Sequence, residues 1–178
     1  MKRGKLIVIS GPSGVGKDTV IKELLKKLPL NLIRTATTRE KRGDEDYIFL
    51  GREEFLERIE RGEFVEWAEV YGNIYGIPRE ELERALEKGD SIVRVDVQGA
   101  ITLMKKFPDS VFIFLSPPSV EELERRLKTR GREKAQELER RLEVAKREME
   151  ASKYFRHVVV NDKLEETVKK IIDIISEE

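Results

Sequence analysis

The chain has no cysteine, a single histidine, three asparagines and two glutamines among its 178 residues. Without cysteine there are no disulfides and no thiolate metal sites. His157 alone rules out a cluster of histidine ligands and leaves only a remote option for a Ser-His pair. Neither sign of charge is in excess: 35 basic residues balance 35 acidic ones, which argues against a general nucleic-acid binder. No apolar run approaches the length of a membrane span, and the N-terminus runs into a strand in place of a signal sequence. The expectation is therefore a cytoplasmic protein with no membrane and no nucleic-acid partner. A charged fraction of 39% with so few amides is of the thermophilic kind.

What the chain does have is a glycine-rich loop. Gly11-Pro12-Ser13-Gly14-Val15-Gly16-Lys17-Asp18 follows the phosphate-binding pattern Gly-x4-Gly-Lys-[Ser/Thr] through Lys17, then departs from it at Asp18. Such glycines let backbone N–H groups surround a phosphate, and the lysine reaches the outer phosphates of a nucleotide. The missing hydroxyl normally helps to hold magnesium, so a carboxylate there either binds the metal or repels the phosphates. The flanks fit. Lys5–Ile9 reads as a buried strand, and Ile21, Leu24, Leu25 and Leu28 share one helical face.

Four more segments read as core strands: Asn31–Thr35, Ser91–Val95, Val111–Leu115 and Val158–Val160. Helical patterns lie between them. One runs through Leu82, Ala85 and Leu86 to a cap near Gly89; another begins at the N-cap Ser119 and carries Val120, Leu123 and Leu127; the last runs from Leu164 to Ile175. Alternating strands and helices imply an α/β fold with a central parallel sheet covered on both faces, and ligands at the carboxyl ends of its strands. Gly11–Asp18, Asp96 and Asn161-Asp162 all fall there. Residues 34–79 and 124–150 fit the sheet pattern poorly. The second is dense in arginine, which suits either a solvated helix face or a phosphate site.

The same residues carry a family resemblance. Gly11–Thr19, Thr37-Thr38-Arg39, Arg42, Tyr47, Glu63–Glu69, Gly72–Gly76, Asp96-Val97-Gln98-Gly99 and Val160-Asn161-Asp162 resemble guanylate kinase, in order and at compatible spacings. The resemblance implies a P-loop kinase of three parts: a core of residues 1–33, 80–123 and 147–178, a GMP-binding insertion of residues 34–79, and a lid of residues 124–146. It implies transfer of the γ-phosphoryl group of ATP to GMP, and also to dGMP, with Mg2+ as cofactor, by a monomer or small homo-oligomer. By resemblance, Lys17, Arg39, Arg126, Arg130 and Arg141 are catalytic. Gly11–Thr19, Arg126, Arg130, Asn161 and Asp162 bind ATP. Thr35, Arg39, Arg42, Tyr47, Glu66, Tyr75, Ile77 and Asp96 bind GMP, and Asp18 and Asp96 face the metal. Glu66 is the specificity residue in this reading, because a carboxylate accepts from the adjacent N1–H and N2–H donors of guanine, whereas adenine presents an acceptor.

Four positions depart from the family pattern: Asp18, a short acidic loop Gly43–Asp46, Ile77 in place of a hydroxyl, and Arg94 in place of an acid. Strand periodicity predicts an Arg94–Asp96 pair. Gly-Lys-Asp and Arg130-Gly131-Arg132-Glu133 also resemble a kinase of ribose 1,5-bisphosphate, although a base-free substrate has no need of Glu66. Guanylate-kinase-like binding modules are a third alternative, but they have no need of Lys17, Arg39 or lid arginines.

Overall fold

The structure is a computed structural model that describes residues 3–129 and 135–178. Its centre is a five-stranded, all-parallel sheet, in the order β2 (Asn31–Leu32), β7 (Ser91–Arg94), β1 (Leu6–Ser10), β8 (Val111–Ser116), β9 (His157–Val160). The apolar alternation along these strands divides the core into two layers. Leu6 and Val8 of β1, with Phe112 and Phe114 of β8, face α3 (Arg79–Lys88) and α4 (Val97–Lys106). Ile7 and Ile9, with Ile113 and Leu115, face α1 (Lys17–Lys27) and α7 (Leu164–Glu177). The expected α/β architecture is present, with helices on both faces.

The segment between β2 and α3 forms a second, four-stranded sheet that periodicity did not reveal. Its order is β4 (Ile48–Phe49), β3 (Ala36–Thr37), β6 (Asn73–Pro78), β5 (Phe64–Val70). Two of its strands have only two residues each, too short to show a period of two. β5 and β6 make a hairpin through Tyr71-Gly72, both at positive φ (52° and 81°), the geometry of a type I′ turn. Helix α2 (Arg52–Glu60) packs its one buried side chain, Phe55, against this sheet. The Phe55 and Phe64 rings stack at 4.4 Å with an interplanar angle of 6°.

Helices α5 (Val120–Thr129) and α6 (Ala135–Glu150) pack through Leu123, Leu127 and Ala145. Ser119 Oγ accepts from the Glu122 amide at 3.1 Å, the N-cap expected from sequence. A 3-10 turn, Ala151–Tyr154, leads into β9. Among the described residues no helix is long and apolar enough to cross a membrane.

Because Phe55 is fully buried and closes the small core of the second sheet, Phe55→Ala is expected to cost about 3–5 kcal/mol of that core's stability. Urea unfolding checks this, and a loss below about 1 kcal/mol would show that the ring is not its main support.

Candidate active site

At the carboxyl edge of the parallel sheet, the glycine loop, the second sheet and helix α6 enclose a cavity of about 520 Å3. Its floor is the loop joining β1 to α1. Gly14 and Gly16 stand at φ of 84° and 100°, a backbone that side chains rarely adopt. A Cβ on Gly16 would lie 2.8 Å from Asn161 Nδ2, so the close approach of the β9–α7 loop also requires glycine there. That loop is tied down from outside the cavity. Asn161 Nδ2 donates to Val15 O at 2.8 Å, and Arg126 donates to Val15 O at 3.1 Å and to Asn161 O at 3.2 Å.

Lys17 opens α1 and lines the cavity, with Nζ donating to Gly11 O at 2.8 Å. Burial lowers its pKa, against the pull of Glu148, Asp96 and Asp18. Glu148 was missed by the sequence reading. It lines the cavity from α6 and accepts a hydrogen bond from the Ser13 amide of the glycine loop. Burial raises its pKa, and Lys17 opposes that rise. In the sequence it is one glutamate among many on a charged helix, so composition offers no signal for it.

On the opposite wall stand the basic and phenolic groups of the second sheet. Arg39 forks onto Glu45, at 3.0 and 2.6 Å, and donates through Nε to Tyr75 Oη at 3.2 Å. Glu45 also accepts from the Arg42 backbone amide at 2.7 Å, so one carboxylate holds the Arg39 fork and the backbone at Arg42. Two guanidinium groups lie against the Tyr47 ring, Arg94 at 4.0 Å and Arg39 at 5.3 Å from its centroid. Thr35 lines the cavity beside them and donates to Arg94 O at 3.3 Å. The short 43–46 loop thus leaves Tyr47 in the cavity wall.

Deeper in the cavity sits Glu66, only 5% exposed, with Oε2 buried and without a hydrogen-bond partner. Burial, reinforced by Asp96, pushes its carboxyl up to about 8, although Lys106 pulls the other way. Asp96 caps α4, accepting from the Gln98 amide at 3.1 Å and the Gly99 amide at 3.2 Å. Burial raises its pKa too, opposed by the Gly99 amide and Lys17. A Cβ on Gly99 would fall 2.7 Å from Glu66 Oε2 and 3.0 Å from Asp96 Oδ1. The glycine of Asp96-Val97-Gln98-Gly99 is therefore what lets α4 begin against Glu66.

Several expectations need restating. Arg94 does not pair with Asp96; its Nη1 lies 2.9 Å from Asp18 Oδ1. Strand parity fails because β7 ends at Arg94 and Asp96 already belongs to the helix cap. Ile77 does not line the cavity: it is fully buried in the core with Val65 and Leu82. Arg126 and Asn161 brace the glycine loop instead of lining the cavity, which Gly11, Pro12, Val15 and Asp162 do not line either. Arg141 does line it and lies 4.8 Å from the Tyr71 ring centroid. Arg130 lies outside the described residues. Asp18, Thr19 and Asp96 bring oxygen donors beside Lys17, a set suited to a hard divalent cation that takes its other ligands from phosphate and water. Among the described residues, no group of three or more His, Cys, Asp or Glu side chains gathers into a cage for a metal.

Comparison with known proteins agrees with this geometry. The guanylate kinase family model matches residues 3–178. A guanylate kinase of Thermotoga maritima is 44% identical, over 99% of this chain and 88% of that protein. One from Prochlorococcus marinus is 46% identical, over 96% of each. The crystal structure of guanylate kinase from Anaplasma phagocytophilum superposes with a TM-score of 0.81 at 37% identity, covering 99% of this chain and 86% of that one. A shikimate kinase from Bacteroides thetaiotaomicron, at 18% identity and a TM-score of 0.58, shares the fold alone. Matched along almost its whole length, with the glycine loop, the paired arginines and the buried carboxylate in one cavity, the chain belongs to the guanylate kinase family.

Proposed function

We propose that the protein transfers the γ-phosphoryl group of ATP to GMP, and to dGMP, giving ADP and the nucleoside diphosphate. The observation that carries this reading is the placement of Lys17 on one wall and Arg39, Arg42 and Glu66 on the other walls of a single cavity. A phosphate oxygen of GMP attacks the γ-phosphorus and ADP departs; the attacking oxygen is already ionised, so no general base is required. The protein's work is positioning and neutralisation of charge. The loop amides and Lys17 take the donor phosphates. Arg39 and Arg42, with Tyr47 and Tyr75, take the acceptor phosphate once Glu45 yields its fork.

Glu66 selects the base. Its desolvated oxygen without a partner meets two adjacent donors on guanine and none in the same place on adenine. Asp18 and Asp96 are the carboxylates that would hold Mg2+, which when bound neutralises charge on the phosphates. Residues 34–79 serve as the acceptor-binding part and residues 124–146 as a lid, with Arg126, Arg130 and Arg141 brought over the phosphates as it closes. Asn161 and Asp162 lie on the loop assigned to the adenine of ATP.

Release of ADP measured with GMP, dGMP, AMP and ribose 1,5-bisphosphate tests the assignment. Turnover on guanine nucleotides is expected, and turnover confined to the sugar bisphosphate would overturn it. Lys17→Ala is expected to lower kcat about a hundredfold or more, and a near-normal rate would remove the loop from the chemistry. Glu66→Gln is expected to raise KM for GMP about tenfold or more while leaving ATP binding intact; equal loss for both would make Glu66 a structural group.

Glu66 also makes acceptor binding depend on pH. Its carboxyl titrates at about 8 in the free protein, so near neutrality it is largely protonated and must ionise to accept from guanine. GMP binding should therefore release a proton at pH 7 and tighten as pH rises towards 8. Calorimetry in buffers of different ionisation enthalpy reads this release directly. It should vanish in Glu66→Gln, and an unchanged release there would assign the proton to another group.

A further inference from the structure

Asp18 follows Lys17 in the glycine loop and lines the cavity beside Ser13 and Gly14. An isolated carboxylate there would oppose a polyphosphate bound to the same loop. Arg94 ends β7, whose neighbour β1 leads into that loop, with Ile9 and Arg94 in register. Its guanidinium is shared among three residues. Nη1 meets Asp18 at 2.9 Å, Nη2 donates to Asp46 O at 3.3 Å, and the group lies over the Tyr47 ring at 4.0 Å. Nε is buried and has no partner. The Arg94 side chain is 11% exposed and that of Asp18 49%, so arginine is the fixed member and aspartate the open one. Three departures from the family pattern, Asp18, Arg94 and the short 43–46 loop, thus meet at one guanidinium.

An exposed ion pair would have little effect. This one is different because its cation is held on a ring, in the wall of the cavity, between the donor loop and the acceptor arginines. We propose that Arg94 is a positioning residue of the kinase site. It neutralises Asp18, so that donor phosphates can enter beside a carboxylate, and it adds a third guanidinium to the acceptor-phosphate side beside Arg39 and Arg42. The second half of this inference rests on the GMP kinase reading; the first rests only on donor binding at the glycine loop. The exchange is reciprocal: a carboxylate at position 18 becomes tolerable when position 94 carries the opposite charge.

The test is a double-mutant cycle read by calorimetric titration of ATP without metal, in buffer containing EDTA, alongside steady-state kinetics with GMP. Arg94→Ala should weaken ATP binding about tenfold, because Asp18 is left uncompensated. Asp18→Ala/Arg94→Ala should bind ATP to within about twofold of the parent protein, since nothing remains to be neutralised. Arg94→Lys, which keeps the charge but loses the fork and the stacking, should retain ATP affinity. In both variants with alanine at position 94, KM for GMP should rise about tenfold, and restoring ATP binding should not restore it. Parental ATP affinity in Arg94→Ala, or a double variant as weak as that single one, would overturn the neutralising role. The recovery in the double variant also separates this role from simple misfolding. An unchanged KM for GMP would overturn the acceptor role. Failure of the parent protein to bind ATP in EDTA would overturn the neutralising role, failure with Mg2+ present as well would overturn the kinase reading too, and ATP binding without use of GMP would overturn only the acceptor half.

Discussion

The site is organised around the burial of one ammonium group. Lys17 sits at the carboxyl edge of the parallel sheet, where desolvation lowers its pKa, and carboxylates from three elements pull the other way. Asp18 comes from α1, Asp96 from the cap of α4 and Glu148 from the far end of α6. A phosphate site cannot leave three acids facing its ligand. Each is turned to another donor: Asp96 to two helix amides, Glu148 to the Ser13 amide, and Asp18 to Arg94. The arrangement of helices around the loop thus doubles as an arrangement of charges.

The acceptor half obeys the opposite logic. Glu45 fills the Arg39 fork, which suits phosphate equally well, and accepts from the Arg42 backbone amide. Glu66 lacks such relief. Its Oε2 is buried without a partner, and the packing that puts it there, with a glycine at position 99 and strand β6 alongside, is structure spent on a group that destabilises the empty protein. Local cost of this kind is common at binding sites, where the missing partner is the ligand.

Much of the fold was legible because the parallel strands are apolar runs bounded by glycine and by helices with a clear apolar face. The glycine loop, the cap at Ser119 and the longer core strands read directly from residue type and spacing, whereas the expected strand Asn31–Thr35 pairs only over Asn31–Leu32. The second sheet did not, since β3 and β4 have two residues each and gain their partners only from β6 and from each other. Glu148 was equally invisible: nothing in a run of charged residues says which one the helix will turn towards the loop.

By itself, the sequence determined a phosphate-loop pattern with its lysine, and its resemblance to guanylate kinase pointed to the paired arginines, the aromatic hydroxyls and Glu66 as the acceptor groups we propose. It also marked Asp18 and Arg94 as unusual, from residue identity alone. Only the tertiary structure decided what those two do to each other. Strand parity pointed to Arg94 and Asp96, but β7 ends before Asp96, whose carboxylate is placed by capping α4. Arg94 is left to reach the first turn of α1, which lies 76 residues away in sequence but is brought alongside by the pairing of β1 with β7. A period of two describes neighbours along one strand; which charges meet across the sheet's edge is set by the order of the strands.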